Sequence, residues 1–233
     1  QQYFNFIKDV EVSVSPSNWV IYNDQRIMRI TGSGCQIDTM QASGEFYLRD
    51  AIGSDGSSID ISEHPIITVN FFGAMAYCNW LSKQKEIPTA YDLNSWELKG
   101  TPENANGFRL PTSNEWEYAA RGGKNGDSTT YSGSNNIDGV AWYIENSDAK
   151  GNSNIKLGRG TMPVGQKNPN ELGIYDMSGL VREWTNTRKG SRYVVSGGHW
   201  DYEQHWCRIG SWSSKDPITT RLWLGFRIAR SGG

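Results

Sequence analysis

Apolar positions three and four residues apart mark a helix in the first half of the chain. Phe71, Ala74, Met75, Cys78 and Leu81 share one face at helical spacing, so residues from about Phe71 to Glu86 are predicted helical. Cys78 lies on that inward face and reads as a structural thiol. A second, shorter helix is announced by its start. In "PTSNEWEYAARGG", Thr112 and Glu115 have the spacing of a capping box, where hydroxyl and carboxylate each satisfy a free backbone N–H. Trp116, Ala119 and Ala120 then face inward, and Gly122 and Gly123 end the helix. Glu115 and Glu117 are two residues apart and point to different faces, which argues against a catalytic carboxylate pair.

Strand patterns appear at Asp9 to Val14 ("DVEVSV") and Trp19 to Ile30 ("WVIYNDQRIMRI"), separated by the turn "SPSN". Gly53 to Asp60 reads as a loop. Short strands are predicted at Tyr193 to Val195, Cys207 to Ile209 and Gly225 to Ala229. The result is two helices followed by irregular β structure, most economically one domain over residues 1–233.

Composition sharpens this picture. Only 36% of the 233 residues are apolar, yet 12% are aromatic, with ten Trp, eleven Tyr and 26 Gly. Such a chain is loop-rich, with a core built on large flat side chains. A net charge of −2 gives no electrostatic reason to expect nucleic acid or an anionic membrane as partner. Cys35, Cys78 and Cys207 are odd in number and form no C-x-x-C pattern, so the chain is not a disulfide scaffold. No run approaches the length of a membrane span. The opening "QQYFNF" has neither charged n-region nor apolar h-region, so any export signal or lipid anchor is expected in a precursor.

The most unusual stretch runs from Gly197 to Arg227, "GGHWDYEQHWCRIGSWSSKDPITTRLWLGFR". It sets Trp200, Trp206, Trp212 and Trp223 among small polar residues. A core strand would alternate more cleanly, and a solvated loop would carry less tryptophan. Four ordered motifs, "GFRLPTSNEWEYAARGG", "PVGQKNPNELGIYDMSGLVREWTNT", "VVSGGHW" and "GFRIAR", resemble the formylglycine-generating-enzyme type of C-type-lectin fold over roughly Pro65 to Arg230. The resemblance implies an α+β, C-type-lectin-like fold in which two helices flank irregular antiparallel sheet and the chain ends meet. It also makes Trp116 and Trp184 core anchors.

Function varies within that fold. The oxidases of the family carry two cysteines after the "GG-S-W" signature, which bind copper. Aligning Trp200 with the family's aromatic puts Tyr202 at the first position and Cys207 at the second, and one thiol makes no bis-thiolate copper site. The chain is closer to the variable proteins of diversity-generating retroelements, including treponemal ones. Their scaffold matches Gly197, Gly198, Trp200, Cys207, Arg208, Gly225, Phe226, Arg227, Ala229, Arg230 and Ser231. This resemblance implies a non-catalytic, surface-displayed lipoprotein with a hypervariable binding segment at about residues 197–227. An oxidase or related enzyme of the same fold is the alternative.

With the frame set aside, the candidate ligand-binding residues are Asp201, Tyr202, Glu203, His205, Trp206, Ser211, Trp212, Ser213, Ser214, Asp216, Thr220, Leu222 and Trp223. Tyr and Trp offer contact area at low entropic cost, and Ser and Asp offer adaptable hydrogen bonds, as in a paratope. Trp200 is read as structural, and Arg208 and Arg227 as residues that hold the frame. The ligand is unknown; a protein surface is expected, with carbohydrate as the other option, and the chain is expected to act as a monomer. No cofactor is required. A structural Ca²⁺ is weighed at "DMSGLVREW", where the family's calcium motif aligns Asp176, Gly179, Val181 and Glu183, with Arg182 as a competing charge. His199, His205 and Cys207 match no common zinc spacing.

Overall fold

A computed structural model describes residues 1–30, 35–40, 43–52, 58–147 and 160–231. Part of the predicted loop at 53–60, residues 53–57, lies outside the described residues. The stretch predicted as one strand over Trp19 to Ile30 is a hairpin of β2 (Trp19–Tyr22) and β3 (Gln25–Arg29). Asn23 and Asp24 make its turn at φ 50° and 58°, a left-handed conformation that these two residue types tolerate. Upstream, only Ser13–Val14 of the predicted first strand forms β1, pairing with β2. Ahead of it stands a helix that the strand reading lacks, α1 (Gln2–Asp9), which buries Tyr3, Phe6 and Ile7 at three-and-four spacing. A further hairpin, β4 (Ile37–Thr39) with β5 (Phe46–Leu48), packs beside α1.

The first predicted helix is α2 (Phe71–Gln84). Asn70 caps it, its side-chain oxygen accepting from the Gly73 N–H at 2.9 Å. Gly73 is required here: a Cβ would collide with the Ile27 carbonyl oxygen where α2 crosses β3. Cys78 is fully buried, and burial drives its thiol pKa upward. The second predicted helix is α3 (Ser113–Ala120), with the capping box formed as read. Its two glutamates diverge, Glu115 to Arg109 and Glu117 to Arg121. Trp116 and Ala120 are buried, whereas Ala119 is half-buried.

The main sheet contains β6 (Arg182–Lys189), β7 (Arg192–Ser196), β8 (Trp212–Lys215) and β9 (Leu224–Phe226), in the order β8–β7–β6–β9. The β6 to β8 ladders are antiparallel, but β9 runs parallel to β6. Trp184 is fully buried on the face toward α2, where Phe71 stacks on Tyr193 at 3.7 Å. On the other face Trp116 of α3 donates its indole N–H to Glu183 at 2.7 Å. The predicted strand at Cys207 to Ile209 is not one. A 3-10 turn over Gln204–Cys207 replaces it, because Cys207 and Ile209 point into separate small cores rather than along one sheet. The predicted strand at Gly225 to Ala229 shortens to β9, and Ala229 instead bridges to Arg109.

Arg109 is buried and gives two hydrogen bonds to Glu115, at 2.8 and 2.6 Å, so this pair also closes the capping box. Glu115→Ala should lower unfolding free energy by about 1–2 kcal/mol, less than for a fully buried pair because Glu115 is partly solvated. Urea titration checks this, and an unchanged midpoint would remove the pair from the account.

Candidate functional site

The site begins at a backbone turn. Gly197 and Gly198 leave β7 at φ 104° and 70°, a region closed to most side chains, and Gly198 rests against Cys207. Ladder register then brings several ends together: Ser196 lies opposite both Glu183 and Trp212, and Arg182 lies opposite Leu224. The excursion 197–211 and the return at 222–223 therefore converge on one end of the sheet.

Trp200 is the structural residue the sequence suggests, 7% exposed, with its indole N–H on the Leu222 carbonyl at 3.3 Å. Its own carbonyl accepts from the Ser147 hydroxyl at 2.9 Å. Cys207 is buried beside Tyr202, and burial pushes its thiol pKa up to about 12. Arg227 holds the frame as expected. Arg208 does not: it is exposed, and its guanidinium has no hydrogen-bond partner among the described residues.

Over this base stands a ladder of rings. Trp223 stacks on His199 at 4.8 Å, His199 on Tyr202 at 3.6 Å, Tyr202 lies 5.8 Å from Trp206, and Trp206 lies 4.8 Å from His205. His199, neither a frame match nor a candidate contact in the sequence reading, is the buried centre of the ladder. Its Nδ1 accepts from the Asp201 N–H at 3.1 Å, which leaves its remaining proton on Nε2. Burial, Arg182 and Lys215 together lower the His199 pKa to about 3.

None of the thirteen candidate residues is buried, but they do not form one patch. Tyr202, His205, Trp206 and Trp223 belong to the ladder, with Asp201 and Glu203 on its rim. Trp206 is 48% exposed. Trp223 is only half-exposed and packs on the α2 core cluster, so its role is partly structural. Strand alternation sends Ser213 to the ladder side of β8 and Trp212 and Ser214 to the other side. Trp212, 52% exposed, meets Lys189 there instead. Asp216 turns the chain after β8, accepting from the Ile218 N–H at 3.1 Å, and Thr220 follows in the same connection. Leu222 is exposed next to the ladder. Ser211 stands at the entry to β8.

The calcium-motif positions are arranged otherwise than a cation needs. Glu183 accepts from Trp116 at 2.7 Å and from Arg227 at 2.5 and 2.9 Å, and the Arg227 guanidinium also donates to the Tyr175 and Asp176 carbonyls at 3.1 and 3.3 Å. The positive charge between these groups is thus Arg227, not the Arg182 weighed from sequence. Asp176 accepts from the Gly165 N–H at 2.8 Å, and burial raises its carboxyl pKa. Gly179 and Val181 are buried, Gly179 in a short parallel pairing with Trp142 and Val181 in the bend that precedes β6. A Ca²⁺ site needs six to eight oxygens; here the Glu183 carboxylate is engaged by a guanidinium, while Asp176 Oδ1 is buried with no hydrogen-bond partner among the described residues.

Helices on a mixed, mostly antiparallel sheet with long irregular connections define a C-type-lectin-like α+β fold. The Sulfatase-modifying factor enzyme 1-like domain matches residues 1–232, and the chain belongs to that family. It is 40% identical over 210 residues to the Chaperone protein LppX of Paenibacillus barcinonensis, covering 78% of this chain and 75% of that one. It is 27% identical over 201 residues to the formylglycine-generating enzyme of Mus musculus, covering 76% of this chain but 47% of the enzyme. The chain thus spans about half the length of that enzyme. Treponema denticola variable protein 1 shares the fold at a TM-score of 0.63 and 23% identity, over 95% of this chain and 99% of that one.

The depressed His199 pKa has a definite sign. Below its ordinary value of 6.5 the unfolded chain takes up a proton that the folded chain refuses, so stability falls as pH drops from there toward about 3. The slope from this residue is at most about 1.4 kcal/mol per pH unit. Urea titrations of the wild type and His199→Gln should converge as pH is lowered from neutral toward about 4. A pH-independent gap would mean that His199 is not held neutral.

Proposed function

We propose that this chain is a non-catalytic binding protein that grips the surface of another protein with its aromatic sheet end. The exposed Trp206, set against a half-buried Tyr202 that packs on the buried His199, carries the reading: a large ring is presented to solvent on a packed base. A related protein is named a chaperone, and another with the same fold is named a variable protein, which accords with binding rather than turnover. Carbohydrate is the second ligand class, since ring faces also stack on sugars.

An oxidase of this fold is the competing reading, motivated by the formylglycine-generating enzymes among the relatives. Against it stand Tyr202 in place of the first cysteine and a Cys207 thiol whose burial opposes thiolate formation. The finer reading follows the family resemblance: the candidate residues are diversified by a retroelement, and the protein acts as a monomer displayed at the cell surface. Sequencing the 3′ end of the gene across isolates tests it. Changes confined to the thirteen positions, at adenines of a downstream repeat, are expected; an even scatter would remove diversification and leave the fold.

Binding itself is tested with a displayed random-peptide library selected on the whole chain. Trp206→Ala should weaken selected binders at least about tenfold while moving Tm by less than about 2 °C, because an exposed ring adds little to folding. Trp223→Ala should weaken binding and also cost about 1–3 kcal/mol of stability through its packed face. Binders indifferent to both substitutions would place recognition elsewhere on the molecule.

A further inference from the structure

The aromatic end is cationic, although the chain as a whole carries a net charge of −2. Arg182 is 2% exposed, and among the described residues no carboxylate pairs with it. Its Nη1 donates to the Ser213 hydroxyl at 2.6 Å and its Nη2 to the Ser211 hydroxyl at 3.2 Å. Its Nε is buried without a partner, and the guanidinium lies 5.2 Å from the centre of the Tyr202 ring. Lys215 stands close by, its ammonium 5.4 Å from the centre of the Trp223 ring. Burial and the nearby Arg182, Arg192 and Arg221 all lower the Lys215 pKa, a sign that cations crowd one another here.

Among the described residues no acid forms a salt bridge with Arg182 or Lys215: Glu203 lies 3.3 Å from the His205 ring, Asp216 accepts from a backbone N–H in its own turn, and Asp201 is exposed on the rim. The His199 imidazole, which faces Arg182 and Lys215, is a neutral neighbour. A buried cation with only hydroxyl partners is costly, and serine oxygens solvate it incompletely. The geometry also fixes the direction of those hydroxyls. Both oxygens accept from the guanidinium, so their own protons point away from it, and both serines are half-exposed. Two polarised O–H donors, a buried positive charge and a lysine thus line one edge of the ring ladder.

We propose that the partner is an acidic protein segment that sets a carboxylate on the Ser211 and Ser213 hydroxyls, under the field of Arg182 and Lys215, with an aromatic or aliphatic neighbour against Trp206 and Tyr202. This rests on the binding function proposed above and names the chemistry of the ligand. A charge-assisted hydrogen bond from each hydroxyl would satisfy the carboxylate, and the aromatic walls would exclude water from it. Wetting of the guanidinium by solvent alone is the competing account, and it predicts no charge preference in the partner.

The test uses the whole chain and three short peptides that alternate tyrosine with glutamate, glutamine or lysine, followed by isothermal titration calorimetry. The glutamate peptide should bind at least about tenfold more tightly than the other two, with an affinity that falls as salt is raised. Lys215→Glu, with its Tm measured to confirm folding, should cancel that preference by placing a carboxylate of the chain's own beside Arg182. Equal affinities for all three peptides, each lost in Trp206→Ala, would overturn the acidic partner and leave the aromatic site standing. Equal affinities that Trp206→Ala leaves intact would remove both.

Discussion

The Glu183 carboxylate is the point on which the rest of the structure depends. It is 5% exposed, and a charge so placed persists only when its partners are fixed. Those partners are Trp116 from α3 and Arg227 from just beyond β9, so one carboxylate ties a helix, the longest strand and the C-terminal segment together. The Arg227 guanidinium extends the tie to the carbonyls of Tyr175 and Asp176. The same arginine neutralises Glu183, one of the carboxylates of the calcium motif, from within the chain.

A rigid frame matters because the aromatic end has little backbone regularity of its own. Between β7 and β8 the chain makes one short 3-10 turn and otherwise follows loops. What orders it is a set of anchors facing inward: Trp200, Cys207 and Ile209 are buried and Tyr202 packs beside Cys207, while Glu203, His205 and Trp206 are left outside. Inward residues fix the path, and the residues between them can differ without disturbing it. His199 shows how close the two roles come, since it is buried with the frame yet forms the middle rung of the ladder. A neutral imidazole serves here because two cations lie beside it.

How far the site was legible in the sequence depends on the residue. Trp206 and Trp212, flanked by polar residues, are exposed as their neighbours implied. Trp223 stands between Leu222 and Leu224, and the parallel pairing of β9 with β6 just beyond it brings its ring against the core. Trp212 and Ser213 are adjacent in sequence and opposite in space, because alternation on β8 sends them to different sides. No local pattern announced that β8 was a strand. Its four residues, Trp212 to Lys215, carry one aromatic and two serines, and only pairing with β7 makes them extended.

The sequence by itself determined the elements whose stabilisation is local. Hydrophobic periodicity set α2, and the capping box set α3, since both act within a few residues. It also determined the frame of the aromatic segment, where glycine pairs and spaced aromatics state their backbone demands directly. The tertiary structure alone decided what depends on partners distant in the chain. It split the Trp19 to Ile30 stretch into a hairpin, set β9 parallel to β6, and sent Arg227 rather than Arg182 to Glu183. Arg182 could have met the carboxylate next to it in sequence, but successive side chains of a strand point to opposite faces. That geometry left one arginine to balance the core and the other to underlie the binding surface.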